Sequence, residues 1–178
     1  DIYLLGGAED SAQKLSLQAL EKNMETINAV IERGAVFLAV CAGFQILGNT
    51  FYADGKEHKG LGLLNVDSIP GDKRYVGDIK VKYLGMDLEL TGFENHAGQT
   101  RFTEKLQPLG TVVAGIGNHQ SEASDGAVTE QIIATYMHGP ALVRNPKLAD
   151  YFLTRKLGQL PPIENQSADA VFTELHAS

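Results

Sequence analysis

One cysteine, Cys41, stands in 178 residues. That excludes a disulfide within the chain and suits a reducing cytosol. Cys41 and the five histidines show no HxxxH or CxxC spacing, so no metal site is expected. No GxxxxGK[ST] run occurs either, so ATP chemistry is not expected on this chain. Basic residues are outnumbered, 15 Lys and Arg against 22 Asp and Glu, for a formal charge of -7. A pI near 5.2 argues against binding nucleic acid or anionic membrane. A signal peptide is not expected from this sequence, and the longest apolar stretch, beginning at Ala35, is too short to cross a bilayer. A cytoplasmic protein without stable membrane insertion is the expectation.

What is present fits one α/β domain. Hydrophobic residues make up 43% of the chain and mean hydropathy is -0.11, values of an ordinary soluble globule with a real core. The chain opens at Asp1 without methionine, and Ile2-Tyr3-Leu4-Leu5 already has the composition of a core strand. Upstream elements of the sheet are therefore expected to be missing. Leu17, Leu20, Met24, Ile27 and Ile31 recur at spacings of three and four, one apolar helix face ending near Gly34. The segment from Ile2 to Val40 then forms a right-handed β-α-β unit.

The stretch from Ala35 to Gly48 organises the rest. A continuous apolar run predicts a buried parallel strand, followed by a cysteine at a turn and a helix at once. Ala39, Ala42 and Gly43 keep bulk away from Cys41, the layout of a nucleophile elbow with sulfur in place of oxygen. Free N–H groups at the helix start would favour thiolate. A buried structural cysteine is the competing reading.

Further on, Tyr52 to Lys56 is expected to be a turn, and short glycine-broken strands follow at Tyr75 to Val81, Met86 to Leu90, Arg101 to Phe102 and Gly110 to Ala114. They suggest antiparallel decoration on a mostly parallel central sheet flanked by helices. Gln131 to Tyr136 is a second core strand, ending at Met137-His138-Gly139-Pro140; Asn145-Pro146 opens a helix. Residues 1–157 are assigned to one domain and 158–178 to a loosely packed tail.

A thiol nucleophile needs a base and an oxyanion site. His138, at the end of a core strand, is the favoured base, and His96 is its rival. His58, His119 and His176 lie in polar segments and are expected to be solvated. Gly6-Gly7 offers either a plain turn or a main-chain N–H donor near the elbow.

These motifs resemble the class I (triad) glutamine amidotransferases, in the cobyric-acid-synthase-like branch, and within it the glutaminase subunits of lipid II isoglutaminyl synthases of the GatD type. The resemblance rests on Leu5-Gly6-Gly7, Val40 to Gly48 around Cys41, Gly60-Leu61-Gly62-Leu63-Leu64, Lys73 to Asp78, Gly92-Phe93-Glu94-Asn95-His96-Ala97-Gly98-Gln99-Thr100 and Thr135-Tyr136-Met137-His138-Gly139-Pro140. It implies a flavodoxin-like α/β fold whose first elements precede this chain. It also implies a bacterial enzyme of peptidoglycan synthesis that hydrolyses L-glutamine through a Cys41 thioester. His138 would act as the base, and Gly7 and Ala42 N–H groups as the oxyanion hole. Arg74 would hold the glutamine α-carboxylate in bidentate fashion, with Asn95, His96 and Gln99 as polar contacts. No cofactor is implied on this subunit, ATP and Mg belonging to a Mur-ligase-like partner that amidates the D-glutamate of lipid II. Where many triad amidotransferases place a Glu two residues after the His, this chain has Pro140; the partner is expected to supply the acid. Cobyric or cobyrinic acid amidation, a cysteine-elbow chaperone or deglycase, a dienelactone-hydrolase-like esterase and a non-catalytic binding subunit are the competing readings.

Overall fold

The computed structural model describes residues 1–159. The expected tail beyond Gln159, with His176, lies outside the described residues. The chain begins with β1 (Ile2–Leu5), α1 (Asp10–Glu21), α2 (Met24–Glu32), β2 (Val36–Val40) and α3 (Ala42–Leu47). Two helices stand where the apolar spacing predicts one. At the break the Asn23 N–H bonds Leu20 O at 2.9 Å and its side-chain amide bonds Ala19 O at 2.8 Å. Asparagine competes with the helical main chain in this way. The apolar stripe nonetheless faces the core: Leu17, Ile27 and Val30 are buried, and Leu20, Met24 and Ile31 pack against the buried cluster.

Next come β3 (Thr50–Ala53) and β4 (Lys56–Lys59), then β5 (Val66–Tyr83) and β6 (Leu88–Phe102). The expected turn at 52–56 is the tip of a hairpin, with Asp54 and Gly55 at φ 51° and 69°. A two-residue hairpin loop requires positive φ at both positions, and Asp-Gly supplies it. The short strands expected at 75–81, 86–90 and 101–102 fuse into one long antiparallel ribbon, pairing Tyr83 with Leu88, Tyr75 with His96 and Val66 with Phe102. The register shifts between Pro70 and Tyr75. Glycines that read as breaks are tolerated within the ribbon because neighbours press close: a methyl at Gly92 would collide with Met137.

β7 (Gly110–Ala114), β8 (Ser124–Asp125), β9 (Ala127–Val128), β10 (Ile132–Thr135), α4 (Ala141–Arg144) and α5 (Pro146–Leu157) complete the described chain. One sheet has the order β1-β2-β10-β9, its first three strands parallel; the other runs β4-β3-β5-β7-β8, with β6 also on β5. The architecture is thus α/β, with a parallel sheet, flanking helices and antiparallel additions that include the longest strands. β2 has neighbours on both edges, and its alternate residues feed two cores: Phe37 and Ala39 one, Val36 and Leu38 the other. β1 differs from the expected core strand. Among the described residues it pairs with β2 alone, and Ile2, Tyr3 and Leu4 stay exposed, Leu4 at 65%.

Candidate active site

Cys41 sits between β2 and α3 at φ 53° and ψ -108°, in the left-handed half of backbone space. A non-glycine residue adopts that geometry only where its surroundings hold it. The Cys41 N–H bonds Thr135 O on β10 at 2.9 Å, and Gln45 N–H bonds Cys41 O at 3.0 Å, so the residue is tied to strand and helix at once. Gly43 lets this turn pack against β1: a Cβ there would stand 2.5 Å from Leu5 O, a main-chain atom that cannot yield.

His138 follows β10. Its main chain is clasped by β6, its N–H donating to Phe93 O at 2.6 Å and its carbonyl accepting from Phe93 N at 3.3 Å. Its imidazole meets Cys41 across Gly7. A Cβ on Gly7 would lie 2.8 Å from His138 Cε1 and 3.6 Å from Cys41 Cβ. Gly7 therefore touches both groups, and only a residue without a side chain leaves the imidazole where it is. His138 Nε2 is buried and has no hydrogen-bond partner among the described residues.

A cavity of about 320 Å³ opens at Cys41, with neither Gly7 nor His138 among its lining residues. Cys41, Ala42, Gln45, Arg74, Asn95 and His96 are among its lining residues. Arg74 is exposed at its rim and donates from Nη1 to Asn95 Oδ1 at 2.9 Å. Gln99 is not in the lining; it is buried beside it, its amide reaching Tyr75 Oη at 3.4 Å. His96, the rival base, is buried, stacked on Tyr136 at 4.0 Å between ring centroids. The structure brings Cys41, Ala42, Gly7 and His138 together at one end, and Arg74, Asn95 and His96 around the cavity.

Electrostatics modify the expectation for the thiol. Burial pushes the Cys41 thiol up to about 11, although a hydrogen bond with the Ala42 main chain and the charge of Arg74 both pull it down. α3 is only six residues long, and desolvation outweighs it. At rest the sulfur is protonated. Burial and the neighbouring His96 lower the His138 pKa, so that imidazole is neutral. Cys41 and His138 thus rest as a neutral thiol and a neutral base.

Several further residues join the elements around the site, most of them with no role assigned from sequence. Gln45 accepts from Gln13 Nε2 at 2.9 Å and donates to Tyr136 Oη at 3.1 Å. Tyr136 continues to Thr100 at 2.7 Å and Thr100 to Ser68 at 2.7 Å. Glu94 is buried under His96. Asp125, fully buried, accepts from Thr135 Oγ1 and, at 3.0 Å, from the Tyr136 N–H; burial still pushes its carboxyl up to about 6. The one available signal was alternation, since Glu94, His96 and Gly98 share a strand face. His119, expected to be solvated, is buried between Arg101 and Ser121, with Arg101 Nη2 at 2.8 Å. His58 is half-buried against Phe51. In both cases polar neighbours in sequence do not place the ring in water.

Cys41 thus stands at an elbow after the parallel strand β2, with His138 following the neighbouring parallel strand β10. Residues 1–146 match the CobB/CobQ-like glutamine amidotransferase domain, and the chain belongs to that family. It is 36% identical over 174 residues to the GatD subunit of the glutamine-hydrolysing lipid II isoglutaminyl synthase of Streptococcus pneumoniae, covering 93% of this chain and 67% of that protein. To the Staphylococcus aureus GatD subunit it is 34% identical over 156 residues, 87% of this chain and 63% of the relative. A cobyric acid synthase of Streptococcus sanguinis is 26% identical over 148 residues, 78% of this chain and 29% of that protein. The chain thus spans about two thirds of the length of the two GatD subunits. A crystal structure of a glutamine amidotransferase superposes with a TM-score of 0.60 at 21% identity, over 86% of this chain and 78% of the other. One from Thermotoga maritima gives 0.53 at 15% identity, over 99% and 73%. These two share the fold.

Proposed function

We propose that this chain is the glutaminase subunit of a bacterial lipid II isoglutaminyl synthase. It would hydrolyse L-glutamine and pass ammonia to a Mur-ligase-like synthetase subunit, which uses ATP and Mg to amidate the D-glutamate α-carboxylate of the stem peptide. The observation that carries the reading is Cys41, packed with the His138 imidazole around Gly7, lining a cavity with Arg74 at its rim. Similarity to two GatD subunits supports the choice of acceptor.

The chemistry follows from the resting charges. Neutral His138 takes the Cys41 proton as sulfur attacks the side-chain amide carbon of glutamine. The tetrahedral oxyanion is met by the N–H groups of Gly7 and Ala42; losing one such donor costs about 3 kcal/mol, or roughly a hundredfold in rate. His138 returns the proton to the amide nitrogen, the carbon–nitrogen bond breaks, and ammonia leaves a glutamyl thioester. Water, deprotonated by His138, then releases glutamate, and the sulfur regains its proton. Arg74 binds the α-carboxylate, with Asn95 steering its guanidinium and His96 offering a polar wall, while Gln99 braces Tyr75. With Pro140 where many triad amidotransferases carry a Glu, the acid would come from the synthetase subunit, so that glutamine is consumed efficiently only in the complex.

The test is reconstitution of the full-length subunit with its synthetase, lipid II, ATP and glutamine. Amidation is expected with wild type and not with Cys41→Ser, while free ammonia supports both. Glutamine-dependent amidation by Cys41→Ser would end the proposal.

A further inference from the structure

The three residues ahead of His138 are tied to one buried carboxylate. Asp125, on β8, accepts from Thr135 Oγ1 and, at 3.0 Å, from the Tyr136 N–H. The same Thr135 hydroxyl accepts the Met137 N–H at 2.9 Å. A hydroxyl has one proton to give, so its direction is fixed: it donates to Asp125 and accepts from Met137. Asp125 is held in turn. The Asn118 amide brackets the next residue, accepting from Gly126 N–H at 2.7 Å and donating to Gly126 O at 2.8 Å. Gly126 stands at φ 68°, and a Cβ there would collide with Ala134 O, so this segment packs directly on β10. The carbonyl of Thr135 meanwhile takes the Cys41 N–H at 2.9 Å. One residue therefore touches the elbow with its main chain and the approach to the base with its side chain.

We propose that Thr135 is a positioning residue of the glutaminase: its hydroxyl, locked between Asp125 and the Met137 N–H, sets where the end of β10 delivers the His138 imidazole relative to Cys41. The assignment rests on the glutaminase reading and adds what aligns its two reacting groups. β10 ends at Thr135, and Tyr136 and Met137 belong to neither strand nor helix. Their N–H groups lack a ladder, and buried main-chain donors need acceptors from elsewhere. Asp125 and Thr135 are those acceptors. The preceding Ile132, Ile133 and Ala134 are apolar and buried, so an apolar residue would fill position 135 if packing were its only task. Instead a hydroxyl and a carboxylate are buried together, an arrangement that is costly unless fully bonded, and both carboxylate oxygens are used. The imidazole has little slack, since a methyl on Gly7 would already lie 2.8 Å from its Cε1. A shift of the β10 end is passed straight to the ring.

The experiment measures kcat and KM for glutamine hydrolysis on the full-length subunit with its synthetase, for wild type, Thr135→Val and Thr135→Ser. The temperature is one at which thermal melts show every variant folded. Valine keeps the shape and removes the hydroxyl; serine restores it. In Thr135→Val kcat is expected to fall about a hundredfold, the effect of a reacting group displaced by about an ångström, with KM little changed because the cavity wall is untouched. Thr135→Ser is expected to recover most of the wild-type kcat. If Thr135→Val does not fold, Asp125→Asn serves, keeping the shape and one acceptor oxygen; its kcat is expected to fall about tenfold, the worth of one hydrogen bond. Wild-type kcat in a folded Thr135→Val whose melting temperature has dropped would make the hydroxyl a stabilising group only and overturn the assignment. A rise confined to KM overturns it too, as does a Thr135→Ser as slow as Thr135→Val. Absence of glutamine hydrolysis by wild type overturns the glutaminase reading itself, which keeps the two failures apart.

Discussion

Gly7 and His138 are packed so closely that a single methyl on the glycine would come within 2.8 Å of the imidazole Cε1. The contact is to the end of a side chain, so Gly7→Ala displaces the ring rather than unfolding the protein. Glutaminase kcat of the complex is expected to fall about a hundredfold, the usual consequence of a reacting group misplaced by about an ångström. Stability should change by only about 1 kcal/mol. Turnover and urea midpoints measured together check this. Full activity in Gly7→Ala would show that the His138 position seen here is not the working one.

The Cys41 thiol, pushed up to about 11 by burial, makes a prediction for chemical labelling. Thiolate is the reactive form. Alkylation of the free subunit by iodoacetamide is therefore expected to rise about tenfold per pH unit from neutrality toward pH 10, without a plateau near 7. Because Arg74 lowers the thiol pKa, Arg74→Gln should react more slowly at each pH. A rate already flat at pH 7 would mean a thiolate at rest and a different proton sequence.

Asp125 gives a stability prediction. Its carboxyl is raised from 3.8 to about 6, chiefly by burial. Between those values the folded protein holds a proton that the unfolded chain releases. Its contribution is thus fully present in acid and is lost as pH rises through about 6, worth about 3 kcal/mol. Glu94, lowered on folding, acts with the opposite sign, so the useful quantity is the difference between wild type and Asp125→Asn. Between pH 4 and pH 7 the urea stability of wild type should fall relative to that variant. Parallel curves would refute the raised carboxyl.

The elbow was legible because its signal is local. An apolar run ending in Cys41 followed by small residues admits few geometries, and Gly43 is small because Leu5 O lies where its side chain would be. His138 was legible for the same reason, standing where a second apolar run stops. The ribbon was less so. Glu94, His96, Gln99 and Thr100 are buried in β6, but polar residues among glycines resemble a loop when hydrophobic alternation is the guide. Their burial depends on partners far along the chain: Glu94 is matched by main-chain donors 22 and 23 residues away, and Asp125 by groups 10 and 11 away. No local pattern carries such pairings. His119 was misplaced for the same reason, its guanidinium partner lying 18 residues earlier.

The line of amides and hydroxyls from Gln13 through Gln45, Tyr136 and Thr100 to Ser68 joins a helix, the elbow and both sheets. Side chains locked in this way have already surrendered their rotational freedom during folding. An incoming amino acid meets a floor that does not have to be organised on arrival, so affinity for a molecule as small as glutamine is not eroded by the ordering of its own receptor.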